Sequence, residues 1–201
     1  PAPHKLWPPK PHEILDWLML ETRDQRFIDN IFVELCERLN LAGISVARAA
    51  MSFLVNHPQW RGARMQWSRG ASEAEFRTYA YGTENTDEYR KSPVYQILAG
   101  AEEIRHRLDA PPTPDESSIY TDLRAAGLTE YCAWPMQHTL GKRHVLTFSS
   151  DRSGGFTDTE IELLRTLVPA ISLVSEIRLK NRMARTLLET YVGPHASQAI
   201  L

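Results

Sequence analysis

The sequence predicts an α+β fold in which an antiparallel sheet is backed by helices from both ends of the chain. Two pairs of apolar segments indicate the sheet: residues 44–54 and 64–69, and later residues 131–138 and 143–150, each pair separated by turn residues. Apolar residues at helical spacing near both ends of the chain indicate helices that pack together on one face of that sheet.

The composition is that of an ordinary globular domain. The chain has 201 residues, a formal net charge of −2, 42% hydrophobic and 24% charged residues, which excludes a disordered, collagen-like or disulfide-scaffold protein. The near-neutral balance disfavours nucleic acid as a partner, because domains that hold nucleic acid are typically basic. No apolar run reaches the roughly 18 residues of a membrane span and no signal peptide is visible. We therefore expect a cytoplasmic protein with no membrane partner.

The first elements are helical, after a proline-rich start. Residues 1–12 contain five prolines, which predicts an extended arm because each proline removes a backbone donor. A short helix is expected around residues 14–18. Apolar residues then recur at i, i+3, i+4 and i+7 from Ile28 to Leu39, which predicts a helix over residues 24–41 that ends at Gly43.

The first strand pair follows this helix directly. Residues 44–54 are small and β-branched and end at the turn Asn56-His57-Pro58, and residues 64–69 end at Gly70. This pattern predicts a hairpin. Residues 70–91 are polar with scattered aromatic side chains and favour no single structure.

Two helices are predicted in the middle of the chain. Ser92-Pro93 combines an N-cap residue with a proline at the first helical position, and apolar residues at helical spacing continue to Leu108. Thr113-Pro114-Asp115-Glu116 has the pattern of a capping box and predicts a second helix that ends at Ala126-Gly127.

The last helix has the clearest start in the sequence. Thr157 and Glu160 form a capping box, and Phe156 can pack on Ile161 across it. The predicted helix continues past Pro169, which should kink it, to Val192. At 1.5 Å per residue it spans roughly 50 Å, so its end must project from the body. This exposed end needs a partner, most simply a second copy of the chain, and its apolar residues are Leu187, Leu188 and Tyr191.

The cysteines and histidines indicate no metal site. Cys36 and Cys132 belong to no C-x-x-C pair, and no histidine stands at ligand spacing from them. Cys36 lies on the apolar side of its predicted helix and is expected to be a small buried hydrophobic residue.

Four stretches of the sequence resemble a known family. They are residues 35–43, residues 56–62 with Trp67, residues 154–158 (Gly-Gly-Phe-Thr-Asp) and residues 187–193 (Leu-Leu-Glu-Thr-Tyr-Val-Gly). GAF domains typically end with two strands joined by a turn, followed by a helix that begins with Gly-x-Phe-Thr. In its finer detail the chain is similar, over residues 12–201, to the GAF-like N-terminal regions of proteobacterial class III adenylate/guanylate cyclases.

This resemblance implies a regulatory role. It predicts a proline-rich arm (1–12), a GAF-like sensor domain (13–176) and a linker helix (177–201) leading to a cyclase catalytic domain. That domain makes cyclic AMP from ATP and needs two aspartates for divalent ions such as magnesium. No such pair is present in the chain, so we expect it to contain no catalytic residue and no cofactor of its own, and to act as a homodimer that transmits a signal through its last helix.

A small-molecule ligand is also implied, because GAF pockets lie between the sheet and neighbouring helices. We expect Arg48, Trp67, Tyr131 and His144 to contribute to such a pocket. A charged residue in an otherwise apolar strand, such as Arg48, points to a site because a buried charge requires a partner.

Two other functions compete with the cyclase hypothesis. The chain could be a stand-alone GAF-type sensor, for example of a transcription regulator, in which the four basic residues between Arg178 and Arg185 approach DNA. It could also be an enzyme of the same fold, such as a methionine sulfoxide reductase, in which Cys132 and Cys36 supply a reactive and a resolving thiol.

Overall fold

The computed structural model describes residues 11–54 and 61–192. The α-helices are α1 (Pro11–Asp16), α2 (Ile28–Leu41), α3 (Asp87–Lys91), α4 (Pro93–Leu98), α5 (Ser118–Ala125) and α6 (Asp158–Val192). The strands are β1 (Arg48–Leu54), β2 (Gly62–Ser68), β3 (Glu75–Tyr79), β4 (Ile104–Arg107), β5 (Glu130–Gln137) and β6 (Arg143–Ser150). A single π-helical turn, Trp17–Glu21, follows α1. Among the described residues no helix is both long and apolar enough to cross a bilayer.

The six strands form one antiparallel sheet in the order β3-β2-β1-β6-β5-β4. Two predicted hairpins, β1–β2 and β5–β6, are therefore confirmed, and they meet through the central pair β1–β6. Arg48 lies opposite Ser68 on one side and Ser149 on the other. The predicted α+β fold, with terminal helices on an antiparallel sheet and a long last helix, is confirmed.

The main core lies between the sheet and the terminal helices α1, α2 and α6; we call this side of the sheet the inner face. Alternate residues of β1, namely Ala49, Met51 and Phe53, are buried there, as expected for a strand with a period of two. Phe32 and Leu39 of α2 pack into the same core. This layer joins the beginning of the chain to its end.

The start of α6 has the predicted capping box. The Thr157 amide donates to Glu160 Oε2 over 2.7 Å, and the Glu160 amide donates to Thr157 Oγ1 over 3.2 Å. Phe156 and Ile161 are both buried in the main core. The helix then runs through Pro169 to Val192 without interruption.

Two sequence predictions for the middle of the chain are wrong. The helix expected to reach Leu108 ends at Leu98, because Gly100 has a φ of 129°, and residues 104–107 form the edge strand β4. The helix expected to start at the Thr113–Glu116 capping box starts at Ser118, because the Glu116 carboxylate pairs with Arg124 instead.

Smaller differences concern the boundaries of elements. α1 begins at Pro11, inside the predicted proline-rich arm, where proline occupies a first-turn position without losing a hydrogen bond. β3 and α3 lie within residues 70–91, for which the sequence favoured no structure. The turn residues Asn56, His57 and Pro58 lie outside the described residues.

Candidate ligand-binding site

The side of the sheet opposite α1, α2 and α6, which we call the outer face, has a centre made of small residues. The pairing register places Gln66, Ala50, Thr147 and Ala133 in one row across four strands, since directly opposed residues point to the same side. The next rows on either side contain Ser52 and Ser149. Above the β5 side of this row lies a second apolar cluster, which includes Ala133, Ile97 and Tyr120.

A cavity of about 170 Å³ lies over the β1–β2–β3 end of this face. Its walls come from the three strands and from the helical segments between β3 and β5. Its largely apolar lining includes Phe53, Leu54, Tyr79, Tyr89, Val94, Leu98 and Ile119, and its polar residues are Ser52, Arg61, Arg64, Glu84 and Ser92. A largely apolar cavity with a few polar groups is the usual form of a small-molecule site.

Four polar side chains of the outer face retain buried atoms without a hydrogen-bond partner. These atoms are Arg48 Nε, Arg64 Nε, Tyr131 Oη and Nε2 of His106, which lies opposite Tyr131. Arg48 does donate from Nη2 to Gln66 Oε1, over 2.5 Å, whereas Tyr131, only 2% exposed, makes no hydrogen bond through its hydroxyl. Of these groups only Arg64 lines the cavity. Because buried polar groups are normally paired, its unpaired Nε points to a missing ligand.

Arg48 and Arg64 give this group a positive charge that no carboxylate of the described residues neutralises. Burial lowers the pKa of Arg48, and the nearby charges of Arg64 and Arg77 lower it further. Burial raises the pKa of Tyr131, which keeps its phenol neutral and able to donate. Within residues 11–54 and 61–192, neither Arg48 nor Arg64 takes part in an ion pair.

The structure divides the four predicted ligand-binding residues between the two faces. Arg48 and Tyr131 lie on the outer face, each opposite Ser149. Trp67 is buried in the main core on the inner face, where its Nε1 donates to the Ala71 carbonyl over 2.9 Å. His144 lies opposite Met136 of that core and therefore also belongs to the inner face. The cavity on the outer face is thus separated by the sheet from Trp67 and His144.

Two further residues, Arg64 and Gln66, belong to the outer face although their sequence pattern does not mark them as site residues. They alternate with the buried Met65 and Trp67 along β2. This alternation is visible in the sequence, but it is equally typical of a strand with one side in water. Only the helices packed over the outer face turn these residues into part of a site.

His144 joins the edge of the cavity to α6. Its Nδ1 accepts a hydrogen bond from the amide of Leu54, a cavity residue, over 3.1 Å. Its ring lies 4.3 Å from that of His138, and His138 Nε2 is 2.9 Å from Ser175 Oγ of α6. Burial lowers the pKa of His144 to about 4 and also lowers that of His138, so both rings are neutral at pH 7.

A second contact fixes the β5–β6 turn to the same part of α6. The Thr139 amide donates to Glu176 over 3.0 Å, and Lys180 Nζ lies 2.7 Å from Glu176 Oε1. The hydrogen bond from Lys180, together with those from Thr139, lowers the pKa of Glu176 to about 2. One turn of α6 therefore contacts the β5–β6 turn through the adjacent residues Ser175 and Glu176.

The far part of α6 has an exposed apolar edge. Leu173 is 47% and Ile177 41% exposed. The predicted dimer residues Leu187, Leu188 and Tyr191 fall within α6, but their side chains lie outside the described part of the chain.

The structure buries both cysteines of the thiol-enzyme hypothesis and pairs Arg178, one of the four basic residues of the DNA-binding hypothesis. Cys36 and Cys132 are free, fully buried thiols whose pKa values are raised by burial, so neither supplies a thiolate at neutral pH. Arg178 donates to the carbonyls of Thr22 and Gln25, over 2.6 and 2.7 Å. Across the described residues, no group of three or more His, Cys, Asp and Glu side chains could hold a metal ion.

Several solved structures have an architecture similar to that of this chain. The GAF domain of a two-component sensor histidine kinase from Bacillus halodurans covers 75% of this chain and 95% of its own, with a TM-score of 0.51 and 16% identity. The phycocyanobilin-bound GAF domain of a cyanobacterial phytochrome covers 85% and 96%, with a TM-score of 0.56 and 12% identity. The chain has a GAF-like fold.

The GAF-like fold occurs in proteins with different outputs. An N-acylhomoserine-lactone-dependent LuxR family transcription factor from Burkholderia cenocepacia covers 87% of this chain and 98% of its own, with a TM-score of 0.50 and 14% identity. No protein-family model and no curated protein matches the chain in sequence. The likenesses to solved structures define the fold alone.

Proposed function

We propose that this GAF-like domain is the ligand-sensing, regulatory part of a class III adenylate cyclase. The observation that carries the sensing role is the cavity on the outer face, which is lined by Arg64, whose buried Nε has no hydrogen-bond partner. The link to a cyclase is supported by the resemblance of residues 154–158 and 187–193 to the corresponding segments of that group of proteins. The parent protein would convert ATP to cyclic AMP with magnesium bound outside this domain.

The proposed route of the signal follows contacts in the domain. Phe53 and Leu54 line the cavity, Leu54 is hydrogen-bonded to His144, and the pair His144–His138 reaches Ser175 on α6. A ligand that shifts the end of β1 changes the position of this histidine pair against α6. The helix then carries the change away from the domain.

The proposed output is a homodimer formed by α6. Exposed Leu173 and Ile177 begin a series with alternating spacings of four and three residues, the repeat of a coiled-coil seam. The series is Leu173, Ile177, Lys180, Ala184, Leu187 and Tyr191. Because class III active sites form between two catalytic domains, the geometry of this helix pair would set the rate of cyclisation. This proposal includes neither nucleic acid nor a membrane as a partner.

The cyclase assignment is tested by reading the gene beyond the codon for Leu201 and assaying the whole product. We expect two aspartates at cyclase spacing in the following sequence, and magnesium-dependent formation of cyclic AMP from ATP. A stop codon, or a following domain of another class, would remove the cyclase and leave a ligand-sensing domain.

The alternative proposal is a sensor domain of a transcription regulator. It is supported by the fold likeness to the LuxR family factor. Arg178 and Lys180, two of the four basic residues it would use, are held by the Gln25 carbonyl and by Glu176. A titration with duplex DNA at low and high salt decides between the two, since phosphate contacts make affinity depend steeply on salt.

A further inference from the structure

The arginines at the outer face outnumber the acids that could neutralise them. Arg61 pairs with Glu84 over 3.4 Å, and Arg77 with Glu75 over 3.6 Å. After these two ion pairs, Arg48 and Arg64 remain without a carboxylate among the described residues. Both are partly buried, and each has a buried Nε with no acceptor. Keeping two like charges close together and poorly hydrated is unfavourable unless an anion joins them.

Tyr131, next to these two arginines, also has a buried polar atom without a hydrogen-bond partner. Tyr131 interacts electrostatically with both Arg64 and Arg48, and its buried hydroxyl has no acceptor. Its ring is held in place by Tyr120, at 5.7 Å between centroids, and Tyr120 in turn stacks on His106 at 3.8 Å. The side chains of Arg48, Arg64 and Tyr131 therefore offer hydrogen-bond donors to one region. The partner that their unpaired atoms lack is a hydrogen-bond acceptor.

The cavity beside these donors limits the size and nature of the rest of a ligand. Arg64 lines it, its other walls are largely apolar, and its volume is about 170 Å³. An apolar protein cavity of about 150 Å³ accommodates benzene. The space therefore suits one aromatic ring or an alkyl chain of similar size.

We infer that the domain senses a small organic oxyanion, a carboxylate or phosphate monoester on an apolar body of about one ring, with the anion held by Arg64, Arg48 and Tyr131. This inference rests on the proposed function, because it names the ligand class of the sensing cavity. A guanidinium group can bind either oxyanion through two parallel hydrogen bonds.

The test is isothermal titration of the purified chain with two anions and their neutral counterparts. Phenylacetate and phenyl phosphate are compared with phenylacetamide and benzyl alcohol. We expect the anions to bind at least tenfold more tightly than the neutral compounds. The tighter of the two anions identifies the head group as carboxylate or phosphate.

Three variants locate the binding. Arg64→Gln should weaken binding of the preferred anion at least tenfold without lowering the melting temperature of the free protein, because it relieves repulsion with Arg48. Tyr131→Phe removes one hydroxyl that makes no hydrogen bond and should also weaken binding. Arg69→Gln is the matched control: Arg69 is held by Asp151, over 2.8 Å, away from the cavity residues, so affinity should be unchanged.

Each result that contradicts the inference would overturn a different part of it. Equal binding of neutral and anionic compounds would overturn the ligand class and leave the sensing cavity in place. Anion binding that survives both Arg64→Gln and Tyr131→Phe would overturn the assigned site. No binding by any of the four compounds would overturn the inference, whereas the cyclase assignment is decided by the gene and its product, without a ligand.

Discussion

Gly155 shows why a glycine-rich stretch precedes the last helix. Its φ is +66°, and a Cβ atom there would collide with the Glu130 carboxylate. That carboxylate is fully buried; it accepts from the Phe156 amide over 2.6 Å and from Arg105 Nε over 2.6 Å. Gly155 thus lets the helix start approach an acid that ties it to β4 and β5.

Alanine substitutions at Gly154 and Gly155 should separate the cost of backbone strain from the cost of a steric collision with Glu130. Gly154 has a similar φ of +83° but nothing within 4 Å of its Cβ direction. We expect Gly154→Ala to lower the free energy of unfolding by about 1 kcal/mol, the cost of a left-handed backbone with a side chain. Gly155→Ala should cost about 3 kcal/mol, because Glu130 must also move. Urea unfolding measures both, and equal losses would contradict the role given to Glu130.

The pair His138–His144 should make stability depend on pH in a defined window. The folded-state pKa of His144, about 4, is below the 6.5 of an unperturbed histidine, so between these values the unfolded chain binds the extra proton. Stability is therefore full above pH 6.5 and is lost as pH falls towards 4, by about 3 kcal/mol for a shift of this size. His138, whose pKa is also lowered, adds in the same direction.

Measurements between pH 7 and 4.5, compared with a His144 variant, separate this effect from that of His106, whose pKa is also lowered by burial. Glu176 has a pKa of about 2 and faces the pair together with Lys180 and Lys142, so the lowered pKa of Glu176 affects stability only below about pH 4.5. Urea unfolding should show the loss in the wild type and a flatter profile in His144→Gln, compared at each pH. Identical slopes in the two proteins would show that His144 does not titrate in this window.

At the scale of elements, the exposed edge of α6 should control self-association. We expect Leu173→Glu and Ile177→Glu to raise the dimer dissociation constant at least tenfold, because each places a charge in a coiled-coil seam. Leu41→Glu is the matched control, since Leu41 is an exposed leucine at the end of α2, 84% exposed. Sedimentation equilibrium measures all three, and a chain that is monomeric at high concentration would contradict the dimer.

The elements predicted correctly from the sequence are those with strong local patterns. The capping box of α6, the apolar stripe of α2 and the two hairpins each depend on neighbours in sequence. β4 was missed because four residues are too few to show a period, and because Ile104 and Leu108 also fit a helical spacing with Ile97. Edge strands of this kind are defined by the strand they pair with, here β5.

The candidate site could be predicted only in part for a similar reason. Arg48 stands out as a charge in an apolar strand, and Tyr131 lies in a predicted strand. Whether a strand residue faces the terminal helices or the cavity depends on register, and a shift of one residue exchanges the faces. The sequence lacks this information when it predicts Trp67 and His144 as pocket residues, and the pairing places both on the inner face.

At the scale of the whole molecule, the two cysteines report on cooperative unfolding. Cys36 of α2 and Cys132 of β5 are both fully buried in the main core, which joins sheet and terminal helices. We expect both thiols to react with a thiol reagent at one slow rate, set by global opening. Rapid reaction of one thiol in the native state would contradict this and would revive the thiol-enzyme alternative.

The cover of the cavity has a consequence for how such a domain can change over evolutionary time. Apart from Arg61 and the strands beneath it, the cavity is lined by residues from 79–119, one continuous stretch between β2 and β5. The helices on the inner face come from the two ends of the chain. Substitutions or insertions within the middle stretch can therefore alter which compound is recognised while α2, α6 and their core stay the same. Specificity and output occupy different parts of the gene, so a lineage can acquire a new input without rebuilding its response.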